Sequence, residues 1–224
     1  MIPTPAAAAP AAAPPRLPAS PPAPVVRPLG RRDYLPTWQA MKDFTAARDA
    51  ATPDELWVVE HPPVYTVGIA GRPEHFPRGE VGIPVVHTDR GGQITYHGPG
   101  QIVVYTLLDL RRLGLTVRTL VRTLEDGVVG LLADHGLAAS GDVDRPGVYV
   151  GGAKIAALGL KVRGGCCYHG LSLNIDMDLS PFAPIDPCGY PGLAVTDLRR
   201  QGVAVDRDTL AGGLVHHLME RLHG

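Results

Sequence analysis

Glycine and proline divide this chain in two. All 27 glycines lie beyond residue 28, whereas residues 1–28 (MIPTPAAAAPAAAPPRLPASPPAPVVRP) carry ten of the 23 prolines and nine alanines. Proline fixes φ and removes a backbone donor, so the intervening alanines cannot run on into a helix. The prolines also interrupt every stretch that would make the apolar core of a secretory signal, which needs about 7–15 unbroken residues. Residues 1–28 are therefore expected to form a disordered, partly polyproline-like extension. Residues 29–224 are expected to form one domain, long enough to bury most of its unfolded surface without staples.

Within that body the apolar residues follow two periods. Trp38, Met41 and Phe44 predict a helix starting near Asp33, and the clearest helix runs through Val117, Leu120, Val121, Leu124, Val128, Leu131 and Leu132 to a stop at Gly136. Leu210, Leu214, Leu218 and Leu222 predict a last helix, capped by Asp206 or Asp208. Short β-branched runs bounded by Pro or Gly read as strands at 55–60, 63–67, 83–88, 102–108, 147–150, 154–162 and 171–176. Strands grouped in runs, with helices between the groups, indicate an α+β domain rather than strict βαβ alternation.

Composition excludes several function classes. With 21 Lys+Arg against 22 Asp+Glu the chain lacks the charge of a general nucleic-acid binder. No apolar run reaches the roughly 18–20 residues of a membrane span. Cys166, Cys167 and Cys188 form neither a closed disulfide framework nor a Cys-x-x-Cys pair, so a reducing compartment, the cytoplasm, is expected. Phosphate-loop, dinucleotide and Gly-x-Ser-x-Gly motifs are all missing. A triphosphate has no visible place and no cofactor is implied, so a bond-making enzyme of this sequence needs a substrate that arrives activated.

Three segments are too oddly composed for ordinary core or loop. In RGGQITYHGPGQ, Arg90 to Gln101, the glycines let backbone approach a bound molecule, although a bulged hairpin has the same texture. In GGAKIAALGLKV, Lys154 is either an edge residue reaching water or a buried ammonium. In HGLSLNIDMDLSPFAPIDPCGYPG, Pro187 and Gly189 hold Cys188 in a rigid turn, as a nucleophile requires, though a lone loop cysteine is often inert. Cys166 and Cys167 are better explained by packing. A metal site made of these two and His169 is disfavoured because adjacent ligands strain a tetrahedron.

Together with EHPPVYTVG at residues 60–68, these segments occur in the order found in the octanoyltransferases of lipoate biosynthesis, the lipoate-protein ligase B family, which residues 30–200 resemble. The resemblance implies a mixed, largely antiparallel sheet flanked by helices, as in biotin and lipoate ligases. It implies that Cys188 carries the acyl group and Lys154 assists it. It assigns substrate binding to Arg90, Gly91, Gly92, Gln93, Ile94, Thr95, Tyr96 and His97, to Ala157, Leu158 and Gly159, and to Gly170, Leu171 and Ser172, with His61 also at the pocket. The implied donor is octanoyl-acyl carrier protein. The implied acceptors are lipoyl domains of 2-oxoacid dehydrogenase subunits and the glycine-cleavage H protein. Two alternatives stand beside it: an ATP-dependent lipoate or biotin ligase of the same fold, and a non-catalytic binder of lipoyl domains or acyl carriers.

Overall fold

The computed structural model describes residues 21–79 and 82–223, with only the backbone described at Cys188 and His223. The expected extension lies outside the described residues as far as residue 20. Its end does not match the expectation, because strand β1 spans Val25–Arg31 and pairs in parallel with β2, Glu55–Glu60. Pro28 is tolerated there because β1 is an edge strand, where a missing donor breaks no ladder on the open side.

The other elements are α1 (Tyr34–Ala47), β3 (Val64–Val67), β4 (Val85–His87), β5 (Ile94–His97), β6 (Gln101–Asp109), α2 (Val117–Asp134), β7 (Ser140–Gly141), β8 (Gly147–Val150), β9 (Ala153–Arg163), β10 (Cys166–Asn174) and α3 (Arg207–His223). Seven strands form one sheet in the order β1-β2-β6-β10-β9-β8-β7, antiparallel except for β1 with β2. β4-β3-β5 make a smaller mixed sheet. The α+β expectation and the mixed sheet agree with this architecture.

β6 is central and buried on both faces, which explains its nearly unbroken apolar run. Ile102, Val104 and Leu108 point into a core with α2 and α3, while Val103, Tyr105 and Leu107 point the other way, towards Met41 of α1. α2 begins on a reciprocal Thr116/Thr119 cap and ends where Leu137 N–H reaches Leu132 O (2.9 Å) and Gly136 N–H reaches Ala133 O (2.9 Å). α3 is capped by Asp206, which accepts from Thr209 N–H at 2.9 Å. The stretch 177–185 folds onto the small sheet, with Met177, Phe182 and Ile185 against Tyr65, Val67, Ile94 and Tyr96. That packing delivers the chain to Cys188. Among the described residues no helix is long and apolar enough to cross a membrane.

Candidate active site

The register of two neighbouring strands builds the site. β9 and β10 are antiparallel, and their pairing sets Gly159 opposite Gly170, Leu158 opposite Leu171 and Ala157 opposite Ser172. Two short segments that are separate in the sequence thus become one patch of wall. Neither strand tolerates side chains at the glycines: a β-carbon on Gly159 would stand 3.0 Å from Gly91 O, and one on Gly170 would stand 2.0 Å from Val104 O. The loop after Asp89 is therefore drawn onto β9, and Gly91 N–H donates to Leu160 O at 2.8 Å.

Arg90 shapes that loop. Its guanidinium donates to Thr66 Oγ1 (2.9 and 3.1 Å), Thr66 O (2.5 Å), Gly91 O (2.9 Å) and Gln93 O (2.7 Å), tying the glycines to β3. Only an arginine offers so many donors in one plane. The result is a narrow cavity between the 90–95 stretch and the wall of β9 and β10. Of the residues expected to bind substrate, the structure places Arg90, Gly92, Gln93, Ile94, Thr95 and His97 in its lining, with the whole of both wall segments. Gly91 faces an apolar groove on the other side of the loop. Tyr96 does not join the cavity. Alternation along β5 turns its ring to the small core, edge-on to Phe182, where it supports the stretch leading to Cys188.

At the far end the lining is aromatic and neutral. Tyr34, Tyr105, His97 and His169 close the cavity beside Val103. His97 donates from Nδ1 to Gln101 Oε1 at 2.8 Å, and burial, with His61 nearby, pushes its pKa down to about 3. His61 stands one layer behind the wall rather than in it, donating to Arg32 O (2.6 Å) and accepting from the Tyr105 hydroxyl (2.7 Å). Burial lowers its pKa too, and that of His169. His169 is the one non-glycine residue with a left-handed φ (62°) among the described residues, a cost its contacts must offset. Its Nε2 donates to Asp89 (3.0 Å), which also accepts from Trp38 (2.9 Å) and the Tyr168 hydroxyl. Burial alone would raise the Asp89 pKa, but these three donors outweigh it and hold the carboxylate below its ordinary range.

These buried histidines make acid lability an expected property. In the unfolded chain they return to an imidazole pKa of about 6.5, so below that the unfolded state takes up protons that the fold refuses. Stability should fall as pH drops from about 6.5 towards about 3, the folded value of His97. His97→Asn keeps a donor for Gln101 and removes one titration. Its melting temperature should drop less than the wild type's between about pH 7 and about pH 5; parallel slopes would clear His97 of the effect.

Lys154 resolves the ambiguity of its sequence: it is 3% exposed, at the start of β9. Its Nζ donates to Pro146 O at 3.0 Å and lies 5.2 Å from the centre of the Tyr149 ring. The room is made by Gly147, where a β-carbon would stand 2.7 Å from Lys154 Cε. Gly147 N–H in turn donates to Glu125 of α2 (2.9 Å), whose pKa is raised by burial.

The backbone of Cys188 lies in a single helical turn, Pro187–Gly189; its side chain is outside what is described. Asp186 anchors this turn through His75 Nδ1 (3.1 Å) and Arg78 (3.1 Å). Pro187 and Lys154 line one small cavity, together with Thr95, Ala157 and Ser172, which also line the larger one. Beyond the turn the chain brackets Lys154 itself: Lys154 N–H donates to Ala194 O (2.8 Å), and Thr196 N–H to Lys154 O (3.0 Å).

A second thiol is committed elsewhere. Cys167 donates to Thr106 O (3.2 Å) and burial pushes its pKa up to about 11. With His169 held by Asp89, no group of three His, Cys, Asp or Glu is placed to hold a metal ion among the described residues. The sequence reading missed Tyr34, Asp89, Tyr105 and Glu125, and weighed His169 only as a metal ligand. Tyr105 carries the first hydroxyl in the apolar run of β6, and Asp89 directly precedes the glycine loop; those were the available signals.

Residues 33–218 match the family model of the lipoyl protein ligase A/B catalytic domain. The chain is 62% identical over 190 residues to an octanoyltransferase of Nitrosospira multiformis, covering 85% of this chain and 88% of that one. It is 59% identical over 199 residues to an octanoyltransferase of Dechloromonas aromatica, covering 89% and 97%. Its fold is that of a bi-partite lipoate protein ligase from Thermoplasma acidophilum (TM-score 0.69, 16% identity, 90% and 84% covered). A biotin protein ligase from Aquifex aeolicus is also similar (TM-score 0.58, 14% identity, 88% and 70% covered).

Proposed function

Since the chain belongs to the lipoyl protein ligase A/B catalytic-domain family, with octanoyltransferases as close relatives, we propose that it moves an octanoyl group from acyl carrier protein to a lipoyl-domain lysine through a thioester on Cys188. It is an enzyme, an acyltransferase. The observation that carries the proposed chemistry is the shared boundary of the two cavities. Thr95, Ala157 and Ser172 belong both to the walled slot and to the small cavity of Lys154 and Pro187.

In the first transfer the Cys188 thiol gives its proton to Lys154 and attacks the donor thioester. The new C–S bond forms, the old one breaks, and the leaving thiolate takes the proton back from Lys154. In the second, the ε-amine of the acceptor lysine attacks octanoyl-Cys188. A C–N bond replaces the C–S bond, the sulfur leaves as thiolate, and the amine's proton passes to Lys154. A free cysteine of pKa about 8.5 is only a few per cent thiolate at neutral pH, so a partner for its proton matters. Thioester exchange is nearly isoenergetic and amide formation from a thioester is downhill, so no nucleotide is needed. A cavity that excludes water protects the acyl-enzyme, and each buried methylene adds about 0.8 kcal/mol of selection for chain length.

Lipoyl domains are the acceptors this reading implies, with the 2-oxoacid dehydrogenase subunits and the glycine-cleavage H protein as the particular ones to try. The free thiols Cys166 and Cys167 suit a cytoplasmic setting. The deciding experiment pairs two donors. Octanoyl carrier protein without ATP is expected to acylate a lipoyl domain, while free octanoate or lipoate with ATP is expected to give no product. Product from the second mixture alone would establish a ligase instead.

A further inference from the structure

We propose that the Gln93 side-chain amide receives the attacking amine in the second transfer, setting the acceptor lysine's nitrogen against the acyl carbonyl. The inference rests on the reading of Cys188 as the acyl carrier. Gln93 has a fixed backbone: its carbonyl accepts from Gly68 N–H (3.2 Å) and from the Arg90 guanidinium (2.7 Å). Its side chain lies against the turn that holds Cys188, for a β-carbon on Gly189 would stand 2.4 Å from Gln93 Nε2 and 3.2 Å from Oε1. Oε1 is buried and, among the described residues, has no hydrogen-bond partner. A buried acceptor left without a donor is costly, and native folds rarely keep one without a use for it.

Position adds to this. Gln93 lines the acyl cavity and also the apolar groove on the other side of the 90–93 loop, beside Pro146 and Tyr190. It therefore stands at the divide between the bound acyl chain and the surface from which a second substrate arrives. Pro146, on that groove, is also the residue whose carbonyl accepts from Lys154 Nζ.

Chemistry decides what such an acceptor takes. An acyl chain offers only C–H groups. A thioester carbonyl, and the oxyanion it becomes on attack, carry no hydrogen to donate, and an oxyanion beside Oε1 would be repelled. An amine nucleophile has N–H bonds to spare. One N–H directed at Oε1 leaves the lone pair free to face the carbonyl carbon. The C–N bond then forms, the C–S bond breaks with its electrons on sulfur, and the proton shed by nitrogen goes to Lys154. Gln93 exchanges no proton; it positions. An amide N–H on the arm of the donor is the other candidate for Oε1, and it would act in the first transfer.

The two steps can be read separately by intact mass under single turnover: loading from octanoyl carrier protein, then transfer from the loaded enzyme to a folded lipoyl domain. In Gln93→Met the ratio of transfer rate to loading rate is expected to fall roughly tenfold, the scale of one lost hydrogen bond. Gln93→Glu keeps an acceptor and drops the N–H pair, and should recover most of that ratio. An unchanged ratio in Gln93→Met, whether both steps slow together or neither does, overturns the inference, as does an equal loss in both variants. A wild type that never loads would overturn the Cys188 reading beneath it, and this inference with it.

Discussion

Cys188→Ala is expected to gain no mass when incubated with octanoyl carrier protein, whereas the wild type gains one octanoyl group. Transfer to a lipoyl domain should fall by several orders of magnitude, as it does when the nucleophile of a covalent mechanism is removed. The other thiols are poor substitutes. Cys167 is fully buried, gives its hydrogen to Thr106 O, and has a pKa of about 11, so it supplies almost no thiolate. Cys166 lies at the opposite end of β10 from Ser172, paired with Asp109 and Arg163. Pro187, next to Cys188 in the chain, borders the cavity that Lys154 also lines. Because Asp186 holds that turn through its own contacts with His75 and Arg78, the substitution should leave melting temperature nearly unchanged. An octanoyl adduct on the alanine variant would move the acyl group to another side chain. Full-rate transfer without an adduct would mean direct aminolysis of the donor.

How much of this was legible in the chain depends on the distance between the residues concerned. The β6 run and the leucine spacing of α2 and α3 are local patterns, and each became the element that its period predicts. β1 was hidden because Pro24 to Pro28 looks like the tail before it, and only pairing with β2 makes a strand of Val25 and Val26. β5 was hidden inside a glycine-rich stretch for the same reason: Ile94 to His97 extends because β3 lies beside it. Tyr96 was misplaced because a motif does not state which way alternate side chains point. The Asp89 cluster draws on α1 and β10, and nothing in the sequence near Asp89 announces Trp38 or Tyr168. Glu125 reads as one charge on an amphipathic helix; only the fold sets it beneath Gly147. The pairing of 157–159 with 170–172 was the largest gap, since register is decided by the whole sheet.

Lys154→Met should leave a protein that folds and transfers octanoyl groups about 10²–10⁴ times more slowly, the usual weight of a positioned proton carrier. Methionine has a similar length and no charge, so the space beside Gly147 stays filled and the loss falls on chemistry. Both steps should suffer, because the same nitrogen takes the thiol proton in the first and the amine proton in the second. That sets Lys154 apart from Gln93, whose loss falls on the second alone. Lys154→Arg separates charge from proton transfer. It keeps a cation, which still favours the Cys188 thiolate, but an arginine does not give up its proton in a protein. Its larger head also presses on Gly147, where the lysine already leaves no room for a methyl group. If charge were enough, Lys154→Arg would load at a rate near the wild type's while Lys154→Met would not. If proton transfer is required, both variants load more slowly than the wild type, and loading in each should recover as pH rises through the thiol's own pKa. Should loading stay flat with pH in Lys154→Met, the lysine has no part in activating the sulfur.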